Sequence, residues 1–175
     1  MNTYISRQGF TIVELLIVIV VVAVLAAVSV SALNGTQQRA RDTQRVHDMQ
    51  TIVKALELYK IQTGTYPPVH PTNQISGWEV SSINPGQFLS ALKTSGVVSS
   101  VPVDPINNGT TVHGMLYRYT LYPAGSNGCL SSRGAFYVLA VGDVETSAGS
   151  LDSSPGFSCS FPWSGGWVTG GFVKG

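Results

Sequence analysis

Residues 8–33 read QGFTIVELLIVIVVVAVLAAVSVSAL, and from Leu15 to Val28 no side chain is polar. A run of this kind is about the 20 residues that a helix needs to cross the hydrocarbon core of a bilayer. A helix is the form expected there, because it satisfies its own backbone hydrogen bonds where no water can. Glu14 stands out. A carboxylate inside an apolar span costs about 2–3 kcal/mol on insertion scales and usually has a task. The surrounding Leu, Ile and Val residues each return roughly 0.3–0.6 kcal/mol, so the segment still inserts.

The helical reading extends beyond Leu33. No proline occurs from Thr36 to Gln62, and Val46, Met49, Ile52, Val53, Leu56 and Tyr59 recur at spacings of three and four. That is an apolar stripe on a 3.6-residue period. Gly64 is positioned as a C-cap and Pro67 follows it. A helix over 10–62 is about 80 Å long at 1.5 Å per residue. Since the bilayer takes only about 20 residues of it, the amphipathic half must pack on something outside. Asn34-Gly35 is the point where such a rod can bend or open into a loop.

The rest of the chain alternates loops with strand signals. Pro67 to Ile83 is rich in Pro, Ser and Asn and reads as loop, with Trp78 at the edge of a core. Asn84-Pro85 opens a short helix, Asn84 as N-cap and Pro85 at its first position, with Gly96 as its stop. Val101-Pro102-Val103-Asp104-Pro105 is a rigid connector. Met115 to Tyr122 and Ala135 to Val144 carry strand patterns, and the Gly- and Trp-rich stretch from Phe161 to Phe172 is a third strand or a surface loop. The fold class is therefore α+β: a long N-terminal helix, its second half packed on a small antiparallel sheet.

Composition excludes several functions. The formal charge is +1, which gives no argument for a nucleic-acid surface. His47, His70 and His113 show no metal spacing, and His47 with Asp48 reads as a helix-surface pair. No G-x-S-x-G elbow occurs among the serines. Trp163 and Trp167 flank Ser-Gly-Gly and could stack on a sugar, though packing is the simpler role.

The junction Gly9-Phe10-Thr11-Ile12-Val13-Glu14, after the short leader Met1 to Gly9 with Arg7, resembles the class III signal of type IV prepilins and type II secretion pseudopilins. The resemblance implies cleavage by a membrane prepilin peptidase between Gly9 and Phe10, N-methylation of Phe10, and a role for Glu14 in aligning each subunit in a helical filament. Arg45, Asp48, Ile52, Ala55, Leu56 and Tyr59, followed by Gly64-Thr65-Tyr66-Pro67, are similar to the region before the globular head in that family. From the residues alone they need only be a core-facing stripe and a helix stop. The resemblance implies a leader over 1–9, a transmembrane helix over 10–33, an amphipathic continuation over 34–64 and an extracytoplasmic, pilin-like head over 65–175. The chain would sit as a single pass in the cytoplasmic (inner) membrane before entering an extracellular or periplasmic filament. Its implied partners are copies of itself or related pilins, the peptidase and the inner-membrane assembly machinery. Charge counting opposes this orientation, since Arg39, Arg41 and Arg45 follow the span against a single Arg7 before it. The junction outweighs the count, because the peptidase acts at the cytoplasmic face in that family.

With the head outside the cytoplasm, Cys129 and Cys159 read as a disulfide, the alternative being two free buried thiols. Its loop of roughly 30 residues is worth about 3.5 kcal/mol of chain entropy. No cofactor is required. Major pseudopilins bind calcium in a C-terminal loop, and Asp143, Glu145 and Asp152 cluster in an oxygen-rich stretch suited to that ion, without matching a ligand pattern. The chain departs from the family in carrying Ala23 and Ser31 where glycine and proline often stand, which predicts a straighter helix.

The leading function is thus a structural, non-enzymatic subunit of a type IV pilus-like filament, with a type II secretion pseudopilin as the alternative. A secreted binding domain released after Val30-Ser31-Ala32, at Leu33, also fits the small-residue rule of ordinary signal peptides. Glu14 inside the apolar region argues against that, and a monomeric membrane-anchored enzyme has no motif to support it.

Overall fold

The computed structural model describes Gly9, 11–146, Leu151, 153–163 and 165–174, with the backbone alone over 30–32. The chain forms two compact units, Met1–Gln38 and Arg39–Gly175.

Helix α1 spans Ile12–Thr63, 52 residues without a break. It passes Ala23, Ser31 and Asn34-Gly35 in helical conformation, so the loop weighed at Asn34-Gly35 does not form. One glycine disfavours a helix by only about 1 kcal/mol relative to alanine, too little to interrupt strong helical runs on both sides. Within the first unit the side chains of 12–28 are exposed on every face, including Ile12 at 80% and Val28 at 66%. This is the one helix among the described residues long and apolar enough to cross a membrane. The Ser29 hydroxyl donates to the Leu25 carbonyl at 2.9 Å and leaves no bare polar group there. At the other end Gly64 closes the helix with φ +79°, its N–H donating to the Lys60 carbonyl at 2.8 Å.

The second unit is a five-stranded antiparallel meander: β1 (Gln74–Ile75), β2 (Trp78–Val80), β3 (Tyr117–Tyr122), β4 (Phe136–Val141) and β5 (Trp167–Phe172), in that spatial order. The third strand expected in the C-terminal stretch is therefore formed by Trp167–Phe172. The expected strands at 115–122 and 135–144 are trimmed to β3 and β4. The span from Pro67 to Ile83 is not all loop, since it holds the β1–β2 hairpin. Its two-residue turn, Ser76-Gly77, has φ of 51° and 81°, the positive pair of a type I′ hairpin. The expected helix from Asn84 is also corrected: 85–89 form turns, and α2 is only Ser90–Thr94. Asn84 does not cap it; the Asn84 N–H instead donates to the Asn73 side-chain carbonyl at 3.0 Å.

Both faces of the sheet are covered, and β4 shows why. All six of its residues are buried, and they alternate between two clusters as a period of two requires. Tyr137, Leu139 and Val141 face the inner cluster with Met49, Ile52, Ala55 and Leu56 of α1 and Leu92 of α2. Phe136, Val138 and Ala140 face the outer one with Val168 and Phe172, over which Phe157, Cys159 and Trp163 fold. Cys129 and Cys159 are joined, Cα atoms 5.1 Å apart, and pin that cover to the sheet. The Gly170-Gly171 pair in β5 follows from close approach. A Cβ on Gly170 would lie 2.6 Å from the Phe157 ring, and one on Gly171 2.8 Å from the Tyr137 ring.

Candidate functional site

The junction that carries the processing and assembly expectations lies at the start of α1. Gly9 is exposed and Phe10 lies outside the described residues. Thr11 and Glu14 form a reciprocal cap. The Thr11 N–H and hydroxyl donate to one Glu14 carboxylate oxygen at 2.9 and 2.7 Å, and the Glu14 N–H donates to the Thr11 hydroxyl oxygen at 3.2 Å. This is a capping box, which satisfies helix N–H groups that otherwise lack partners. The sequence contains its signature, Thr-x-x-Glu before an apolar run, but the expectation there concerned only the charge of Glu14. Within one subunit the carboxylate therefore already has a place, at the positive end of the helix dipole. It is nonetheless exposed at its outer side, open to a cation from a second molecule.

A second polar constellation sits in the Arg39–Gly175 unit. Arg45, with no side-chain exposure, is surrounded by three carboxylates. Its Nε and Nη2 donate to both oxygens of Asp104 at 2.7 and 3.0 Å, a bidentate pair. Its Nη1 donates to Asp42 at 2.7 Å and Glu145 at 2.8 Å. Arg41 adds a second pair to Glu145 through Nε at 2.8 Å. Of the residues weighed for calcium, Glu145 accepts from two arginines and Asp152 lies outside the described residues; no group of three or more His, Cys, Asp or Glu placed to hold a metal occurs among the described residues. The cluster joins α1 to the connector at Asp104 and to the segment after β4, so its role is to hold the head together. Asp48 also departs from expectation. It is buried and accepts from the Tyr117 hydroxyl at 2.9 Å, while His47 stays exposed and 3.9 Å away. Trp163 and Trp167 are likewise separated: Trp167 enters the inner core, its indole N–H on the Ser153 carbonyl at 3.1 Å, and Trp163 lies on the outer face.

The cluster makes the head acid-sensitive. The hydrogen bond from Arg41, followed by Arg45, holds the Glu145 carboxyl below its usual range. Burial alone would raise Asp42, but the Thr146 hydroxyl, the Glu145 N–H and Arg45 outweigh it and hold Asp42 down. A carboxyl depressed in the folded state contributes stability above its unfolded pKa, about 4, and loses it as pH falls through the folded value. Asp48 and Glu79, raised by burial, act in the opposite sense, so a variant difference isolates the cluster. Glu145→Gln is expected to lower the thermal midpoint of the full-length protein at pH 7, and that deficit should shrink below about pH 4. An equal deficit at pH 3 and pH 7 would show that the Glu145 charge contributes nothing.

Residues 5–30 match the family described as the prokaryotic N-terminal methylation motif. The chain is 30% identical over 128 residues to type II secretion system core protein G of Escherichia coli (strain K12), covering 70% of this chain and 84% of that protein. It is 30% identical over 129 residues to type II secretion system core protein G of Pectobacterium carotovorum subsp. carotovorum, covering 70% and 80%. It is also 42% identical over 61 residues to the type IV wide pilus major component PilA4 of Thermus thermophilus, covering 35% and 47%. No solved structure matches the chain.

Proposed function

We propose, for a chain that belongs to the family of type IV pilins and type II secretion core protein G, that it is a structural, non-enzymatic subunit of a type IV pilus-like filament. It is made with the leader Met1 to Gly9, which a prepilin peptidase removes at the cytoplasmic face of the inner membrane. Residues 10–33 then hold the subunit in the membrane with the head outside. Assembly proceeds through the N-terminal helix, with the Glu14 carboxylate of one subunit meeting the N-terminal ammonium of Phe10 in the next.

The observation that carries this reading is the apolar, fully exposed surface of α1 over 12–28, headed by the single carboxylate of Glu14. Such a surface is stable in lipid or against identical helices and not in water. Glu14 lies four residues past Phe10, about 6 Å along a helix, so a neighbour offset by about one turn can bring ammonium and carboxylate together. Intact mass of membrane-extracted protein tests the processing step. The mass is expected to start at Phe10. A mass that retains Met1 sinks the processing claim, and one that starts at Leu33 supports a secreted domain instead.

A second reading, a pseudopilin of a type II secretion system, has its own support. The likeness to core protein G of E. coli extends over 84% of that protein, against 47% of the Thermus pilus component. Deleting the gene separates the two readings: loss of surface filaments marks the pilus, and periplasmic retention of exported enzymes marks the secretion system.

A further inference from the structure

On the outer face of the sheet, the side chains of Trp78, Tyr122, Phe161 and Trp163 line a cleft of about 270 Å³, together with Arg118, His113 and Asn127. Its origin lies in the register of the strands. Trp78 and Val80 of β2 share a face with Arg118 and Tyr122 of β3, since Val80 pairs with Arg118. The disulfide-bound segment crosses that face and brings Phe161 and Trp163 to meet them. Trp163 is held in a cluster, 5.8 Å from Tyr122 and 5.3 Å from Phe161 between ring centroids. The Arg118 guanidinium lies 4.8 Å from the Trp78 ring centroid and Nη1 donates to the Val112 carbonyl at 2.7 Å, which fixes Trp78 in turn. Phe161 packs edge-on against Trp163 yet keeps 54% of its surface exposed at the rim.

We propose that this cleft binds a sugar ring. Its chemistry is two-sided, as a pyranose is: aromatic faces accept the C–H surface of the ring, and polar edges meet hydroxyls. Asn127, His113 and Tyr122 each carry groups that donate and accept, the property that matches a hydroxyl. The volume lies just below the roughly 300–1,000 Å³ of sites for drug-sized ligands, the size of a mono- or disaccharide. No carboxylate lines the cleft and one arginine does, so acidic sugars are not repelled. Resting on the filament reading above, the site would give a filament of this protein a contact with glycans on surfaces.

The test is an NMR titration of the full-length chain in a sugar-free zwitterionic detergent, with glucose, N-acetylglucosamine and glucuronate as probes. The indole N–H signals of Trp78 and Trp163 are expected to shift and saturate with at least one probe, in the millimolar range typical of weak ligands. The indole of Trp167, engaged by the Ser153 carbonyl, is the internal control and should not move. Phe161→Ser and His113→Ala alter exposed side chains, so an unchanged Trp167 signal certifies their fold. Each should weaken binding roughly three- to tenfold, the loss expected for one aromatic contact or one hydrogen bond. The proposal is overturned if none of the probes shifts Trp78 or Trp163 at about 50 mM, far above millimolar affinity. It is equally overturned if both variants bind as the parent does, or if Trp167 alone responds.

Discussion

Arg45→Ala is expected to destabilise the head by about 3–5 kcal/mol, the usual loss when one partner of a buried ion cluster is removed. That corresponds to a drop of roughly 10–20 °C in the thermal midpoint for a unit of this size. The expectation comes less from the attraction that is lost than from what is left behind. Asp104 and Asp42 are 2% and 3% exposed, and without the guanidinium their charges remain in a poorly hydrated site. Arg41 donates its hydrogen bonds to Glu145 and none to Asp104, so it does not compensate for Asp104. Arg45→Met fills the volume but leaves the same orphaned carboxylates, and it should be about as damaging as alanine. Arg45→Lys keeps the charge yet cannot match both Asp104 oxygens with one ammonium, so an intermediate loss is expected. Thermal unfolding of the full-length variants, followed by near-ultraviolet circular dichroism, reads all three. If Arg45→Ala lies within about 1 kcal/mol of the parent, the cluster is a surface-like network of the kind worth little.

Why that cluster was not legible in the sequence is a matter of distance along the chain. Arg45 was visible as a basic residue after the span and as part of a motif similar to a known family. Asp42 stands only three residues before it, but its other partners stand 59 and 100 residues away, at Asp104 and Glu145, and no periodicity links them. Asp48 misled for the same reason. Its neighbour His47 is adjacent in sequence, but its hydrogen bond comes from Tyr117, 69 residues on. The long helix is legible because its first half is an unbroken apolar run of membrane-crossing length and its second half carries a stripe on a 3.6-residue period, and β4 because six apolar residues in a row fit a strand buried on both faces. The β1–β2 hairpin escaped because its strands are two and three residues long and its turn places Ser76, not Asn or Asp, before Gly77. The expected helix from Asn84 gave way to a tertiary demand. The buried Glu79 carboxylate accepts the Leu89 N–H at 2.6 Å, with Leu89 at φ 46° just before α2. At the N-terminus the sequence held both signals, the lone charge of Glu14 and its spacing from Thr11. The family resemblance implies a role for the first, and the structure adds the capping contact of the second.

Glu14→Val is expected to abolish filaments while leaving the protein in the membrane. Insertion survives because valine removes the penalty of a charge in an otherwise apolar span. Assembly fails because the ammonium proposed to meet Glu14, at Phe10 of the neighbouring subunit, is left without a partner in apolar surroundings, a loss of about 3–5 kcal/mol per contact. Because a filament multiplies that loss over every subunit, yield should fall to near zero rather than by a fraction. The capping box adds a competing explanation, since the valine substitution also strips the partner from the Thr11 N–H and hydroxyl. Loss of a cap is worth about 0.5–2 kcal/mol, enough to fray the first turn of α1 but not to unfold a helix of 52 residues. Glu14→Gln separates the two effects. Its amide oxygen can still accept from Thr11, as glutamine does in capping boxes, but it carries no charge. If pairing with a neighbour governs assembly, Gln fails almost as fully as Val. If the cap governs it, Gln assembles nearly as well as the parent. Glu14→Asp keeps the charge with a reach shorter by one methylene, and partial assembly is expected. Filament yield and membrane-bound monomer, measured side by side, decide among these outcomes. Normal filaments from Glu14→Val would end the pairing argument. Disappearance of the monomer from the membrane would move the role of Glu14 from assembly to insertion.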